Sequence, residues 1–312
     1  MNPIQRTLGT GLLLAFLAIV GCKRSEQPSP SQSAREAAPA KPTVYVVNYP
    51  LQYFAERVAG DTAEIIFPAP PDEDPAYWKP DADTIASYQQ ADLILLNGAT
   101  YAKWVRRITL PRSRMVDTSR GFVDQYIAIE EAVKHAHGPD GEHAHAEVAF
   151  TTWLDPTLAL RQVEAICSTL TKVLPNHAPE LLKRCEALKS ELKVLDTTFQ
   201  EITKNHSQQT LLASHPVYQY FARRYKLNIK SLHWEPDEVP DAKQWARFDE
   251  LVEGHKVQWM LWEAPPNPDM VEQLRNRGVN CLVFSPCGNT AEDGNYLQVM
   301  SKNAEELKHV FE

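Results

Sequence analysis

Leu181-Leu-Lys-Arg-Cys185-Glu-Ala-Leu188-Lys-Ser-Glu-Leu192-Lys-Val-Leu195-Asp-Thr-Thr-Phe199-Gln-Glu-Ile202 places apolar side chains at 181, 185, 188, 192, 195, 199 and 202. The intervals alternate four and three, the signature of one sustained apolar stripe on a helix. At 1.5 Å per residue, such a helix runs for roughly 40 Å. A shorter predicted helix over 156–174 precedes it, with Val163, Ile166, Leu170 and Val173 on one face, and Pro175-Asn176 breaks the two apart. A helix of this length in the middle of the chain reads as a rigid connector.

Working outward, both flanks alternate short apolar runs with amphipathic stretches, which predicts α/β architecture with parallel sheets. Before the hairpin, strands are expected over 43–48, 63–67 and 93–97, with a weaker one near Met115, and helices over 51–58 and 82–90. After it, strands are expected over 210–214, 228–232, 257–263 and 280–285, and helices over 217–225, 242–254, 268–277 and 296–311. The expected fold is therefore two α/β lobes, each a mostly parallel sheet with flanking helices, joined by a long rigid helix. The expected divisions are a first lobe over 43–176, including the first hairpin helix, a connecting helix over 177–206, and a second lobe over 207–312.

The N-terminus carries export features. Arg6 gives a short positive segment, and 8–20 is apolar and uncharged, shorter than the roughly 20 residues a spanning helix needs. It ends in Leu17-Ala-Ile-Val-Gly21-Cys22, which resembles the bacterial lipobox. Residues 1–22 thus read as a lipoprotein signal peptide with Cys22 as the lipidated residue. The following 23–42, rich in Ser, Pro, Gln and Ala, reads as a flexible tether. The expected location is the bacterial cell envelope, lipid-anchored and facing the periplasm or the exterior. A net charge of −8 argues against nonspecific nucleic-acid binding. Cys167 and Cys185 lie on the facing apolar sides of the hairpin, equidistant from residue 176. In an oxidising compartment they read as a disulfide, the alternative being two buried free thiols.

Open α/β sheets bind ligands beyond the carboxyl ends of their strands. Segments 71–80, 151–156, 214–221 and 285–289 occupy such places or face the cleft, and bring Tyr77, Trp78, Trp153 and Tyr218 with them. Trp234 adds another aromatic group. None of these segments contains a nucleophile elbow, a phosphate loop or a GxGxxG run, and the chain has no His-Glu-x-x-His motif. No catalytic residue is assigned and an enzyme is not expected. His135, His137, His143 and His145 put four of ten histidines within eleven residues. Paired His-x-His favours loose capture of zinc, copper or nickel over a merely polar loop.

Val44-Tyr-Val-Val-Asn-Tyr-Pro50, Ala91-Asp-Leu-Ile-Leu-Leu-Asn-Gly98, Trp153-Leu-Asp-Pro156 and Tyr220-Phe-Ala-Arg-Arg-Tyr225, in this order, resemble the ZnuA/TroA-like substrate-binding lipoproteins of bacterial zinc and manganese ABC importers. The histidine-rich insert before the Trp-Leu-Asp-Pro segment is similar to theirs. The resemblance covers nearly the whole body. It implies zinc or another divalent metal as ligand, none being required for folding, an ABC permease as partner, and a monomer. The family's site uses about three histidines and one carboxylate. Of these, His215 matches, whereas Ala76, Thr151 and Ser285 stand at the other ligand positions, and Lys79 replaces a common Glu. One imidazole does not hold zinc tightly. The residues available to rebuild a site are Glu73, Asp74, His233, Glu235, Glu263 and Cys287. The alternative is a repurposed cleft that takes a metal complex or small organic ligand, or an accessory surface protein.

Overall fold

In the computed structural model, residues 40–129 and 148–312 are described. Cys22 and the histidines at 135, 137, 143 and 145 lie outside them. From Lys41 to Glu312 the chain forms one compact unit. No helix among the described residues is long and apolar enough to cross a membrane.

The first sheet contains β1 (Thr43–Val46), β2 (Glu64–Ile66), β3 (Leu93–Leu96) and β4 (Met115–Asp117), all parallel, in the order β2-β1-β3-β4. The second contains β5 (Thr210–Ala213), β6 (Asn228–Ser231), β7 (Trp259–Trp262) and β8 (Asn280–Val283), also parallel, in the order β6-β5-β7-β8. The two lobes thus repeat one topology. In each, the chain moves to opposite sides of its first strand, which creates a switch point between β1 and β3 and between β5 and β7. Crevices at such points receive ligands.

Helices α1 (Tyr49–Ala59) and α2 (Ala82–Gln90) serve the first lobe, and α5 (Gln219–Tyr225), α6 (Ala242–His255), α7 (Pro268–Asn276) and α8 (Tyr296–Phe311) the second. Polar side chains set their starts: Asn48, Asp81, Asp241 and Asn295 each accept from a backbone N–H of the first turn. The second-lobe helix expected from 217 begins at Gln219, because the Val217 N–H turns back to the His215 carbonyl.

Between the sheets, α3 (Pro156–Val173) and α4 (Ala178–Thr203) form the expected hairpin. Leu181, Cys185, Leu188, Leu192, Leu195 and Phe199 are buried and Ile202 is partly buried, as the stripe requires. α4 packs on α1 and α8 as well as α3, so helices from both lobes rest on one rod. Its polar face is tied as well: Arg224 on α5 holds Asp196 through Nε (2.8 Å) and Nη2, and Tyr225 and Gln200 also donate to that carboxylate.

Candidate functional site

The site is assembled from strand ends. β5 runs into Ser214 and His215. β6 continues its pairing into the next segment, with the Leu232 N–H on the Ala213 carbonyl and the Trp234 N–H on the Ser214 carbonyl. Alternation then sorts the side chains: Leu232 and Trp234 enter the lobe core, and His233 and Glu235 stay on the exposed side. β7 ends at Trp262 and delivers Glu263. From the other lobe, the turn after β2 brings Asp74, whose carboxylate accepts the Ala76 N–H at 2.8 Å.

His215 is the centre of this group. Its Nε2 stands 3.7 Å from Glu235 and its Nδ1 3.9 Å from Glu263. The His233 ring lies edge-on to it, with centroids 5.7 Å apart. Burial pushes the His215 pKa down, assisted by His233 and opposed by Asp74. The imidazole is thereby biased to its neutral, metal-ligating form. Glu263 is pushed up to about 7, mostly by burial and then by Glu235 and Asp74. Asp74 and Glu235 are raised too, each chiefly by burial. For Asp74 that burial outweighs the Ala76 N–H and the nearby His215 and Lys103, which favour its ionised form, while Glu235 acts with burial.

Three mutually repelling carboxylates around the His215 and His233 rings form a cation-seeking arrangement. Among the described residues, however, no three such side chains are gathered into a finished coordination sphere. The reason is visible at His215, whose two nitrogens address different carboxylates. An ion on one of those nitrogens would leave the other facing a carboxylate, and in this structure both carboxylates stand beyond hydrogen-bond length.

The positions where the family resemblance expects ligands are filled differently. Ala76 is fully buried. Thr151 is buried and its hydroxyl donates to the Val217 carbonyl across the lobes. The Ser285 N–H donates to Asn303 Oδ1, and its Oγ accepts from the Cys287 N–H. None of the three presents an imidazole or a carboxylate.

Cys287 is not brought to His215. It is buried at φ 56° beside Tyr49 and Tyr296, and burial pushes its thiol up to about 12. Glu73 contributes its carbonyl, which accepts from Asn289 Nδ2 at 2.7 Å and so links the lobes. Of the cleft aromatics, Trp78, Trp153, Tyr218 and Trp234 are buried, and Trp153 and Tyr218 donate to the Pro286 and Phe284 carbonyls. Tyr77 is 58% exposed, with Lys103 Nζ 6.0 Å from its ring centre.

Two features escape sequence reasoning. Lys103 supplies positive charge near Asp74 from a segment with no motif. The first lobe's switch point is closed by amides: Asn48 donates to Asn97 at 3.2 Å, and Gln162 Nε2 donates to Asn97 and Thr118. The same crevice in the second lobe holds His215 and Glu263.

These elements define a class: a two-lobed binding protein with parallel sheets, a helical spine and ionisable ligand-type residues at the carboxyl ends of its strands. The family described as "ZnuA: Zinc-uptake complex component A periplasmic" matches residues 44–310, and the chain belongs to it. This is a family of transport binding components rather than of enzymes. The chain is 27% identical over 312 residues to the zinc-binding lipoprotein AdcA of Streptococcus pneumoniae, covering 95% of this chain and 60% of that one. It is 23% identical to the high-affinity zinc uptake system protein ZnuA of Bacillus subtilis, covering 94% and 93%. Its fold is similar to the crystal structure of the metal-dependent lipoprotein YcdH from Bacillus subtilis, with a TM-score of 0.74 at 21% identity over 86% of this chain and 98% of that one. The chain thus spans less than two thirds of AdcA.

Proposed function

We propose that this chain is the lipid-anchored, extracytoplasmic substrate-binding component of a metal-ion ABC importer, with zinc as its cargo. The observation that carries this is the convergence of His233 and Glu235, after β6, and Glu263, after β7, on His215 at the end of β5, with Asp74 approaching from the other lobe. Two imidazoles and carboxylate oxygens form a donor set suited to zinc. In this reading the ion is held by His215 Nε2, His233 and Glu235, the last two swinging inward from exposed positions. Glu263 orients the ring through Nδ1, and Asp74 supplies charge from the first lobe. Cys22 carries the lipid, the histidines at 135, 137, 143 and 145 gather ions loosely, and a permease receives the cargo from the two lobes. The family membership and the zinc-binding names of the relatives support the cargo.

A second reading has one observation in its favour. Positions 76, 151 and 285 are already satisfied by packing and hydrogen bonds, which suits a cleft turned to a metal complex or small organic ligand.

Zinc titration calorimetry on the mature protein, on a form lacking residues 135–146 and on His215→Ala separates the two. The expected result is one site that survives loop deletion and is lost in His215→Ala. Binding that disappears entirely with the loop would assign capture to the histidines alone. Absence of zinc, manganese and copper binding from every form would end the metal reading.

A further inference from the structure

The function above makes no use of a pair of buried nucleophiles in the spine. Cys167 on α3 and Cys185 on α4 are 5% and 3% exposed and belong to one core cluster. They lie nine residues on either side of Asn176, in the turn Pro175–His177 that joins the helices. The helices are antiparallel neighbours along their length, so equal distances from the turn put the two side chains at one level. Both are free thiols in this structure, and Cys167 is close enough to Cys185 to add to the effect of burial in raising its pKa. The other two described cysteines have different surroundings, Cys281 beside Trp262 and Cys287 beside Tyr49 and Tyr296.

We propose that Cys167 and Cys185 are oxidised to a disulfide that staples the α3–α4 hairpin in the exported protein. The proposal rests on the extracytoplasmic location argued above, where thiols meet oxidised dithiol donors. One cysteine thiolate attacks the donor's disulfide, forming a mixed disulfide and releasing one donor thiol. The second cysteine, as its thiolate, then displaces the other donor sulfur. One S–S bond forms in the protein, one is broken in the donor, and two electrons and two protons pass to it. In the folded hairpin both sulfurs are shielded and burial pushes Cys185 up to about 12, so the exchange belongs to folding, before the helices close. The consequence is mechanical. α1 and α8, from opposite lobes, pack on α4, and the bond fixes the hairpin against which both are seated.

The test uses the full chain exported with its own leader, unfolded in denaturant and alkylated without and then with reductant, followed by mass spectrometry of the peptides. The expected result is that Cys167 and Cys185 are labelled only after reduction, while Cys281 and Cys287 are labelled throughout. Thermal unfolding should show a Tm lower by roughly 5–10 °C in reductant for the wild type. It should show no reductant effect for Cys167→Ala or Cys185→Ala. Labelling of all four cysteines without reductant, or a linked peptide pair other than 167 and 185, overturns the proposal. The labelling result does not depend on either variant folding. If the zinc reading fails while the bond is found, the staple stands by itself.

Discussion

Replacing Glu263 by Gln tests the electrostatics of the cleft directly. In the metal-free protein the Glu263 carboxyl titrates near 7 instead of its ordinary 4.5, because it is largely buried and faces Glu235 and Asp74. The folded state therefore holds this proton more tightly than the unfolded chain does. The stability it confers is complete below about pH 4.5, is lost as pH rises toward 7, and is absent above that. The gap corresponds to roughly 3 kcal/mol, and with the side chain 22% exposed a realistic figure is about 2–3 kcal/mol. Gln keeps the shape and removes the charge. Urea and thermal unfolding in chelator across pH 4 to 8 should show the variant matching the wild type at the acid end. At pH 8 it should unfold at a temperature higher by roughly 5–10 °C. Zinc should reverse the order, stabilising the wild type more. A stability difference that does not change with pH would refute the assigned cause of the shift, since removal of a packing contact has no reason to titrate.

The remaining predictions concern the frame around that cleft. Asp196→Ala should destabilise by about 2–4 kcal/mol, because it takes the shared acceptor from partly buried Arg224, leaving it only Asp155 at 3.9 Å, and from buried Tyr225, and chemical denaturation measures it. Gly60→Ala should cost on the order of 1–2 kcal/mol in the same assay, since φ is 53° and an added Cβ would stand 2.0 Å from Arg184 Nη1. Ala76→His, which restores an expected ligand at a fully buried position, should lower stability by about 1–3 kcal/mol through overpacking. By calorimetry it should leave zinc affinity unimproved unless Thr151 and Ser285 are changed with it. Tyr88→Phe should cost about 1 kcal/mol by removing the buried hydroxyl's bond to the Val46 carbonyl, with no effect on zinc affinity.

The period of 181–202 determined the spine, because a helix that buries one stripe must repeat near 3.6 residues whatever surrounds it. Apolar runs such as Leu93-Ile-Leu-Leu96 determined the strands, because parallel strands covered on both faces tolerate little else. The departure from the family's expected ligand types was also legible, since Ala76, Thr151 and Ser285 carry no imidazole or carboxylate. The cluster around His215 was legible only as a set of possibilities. Glu73, Cys287, Glu263 and Glu235 were equivalent in sequence, each a donor near a strand end. Folding separated them: Cys287 turned into the core beside Tyr49, Glu73 used its carbonyl to join the lobes, and Glu235 and Glu263 faced opposite nitrogens of His215. Local propensity fixes an element from its own residues, whereas a site joins residues 74, 215, 235 and 263 from four separate segments. Their distances, and the pKa of Glu263, follow from strand order and lobe packing that no local pattern encodes.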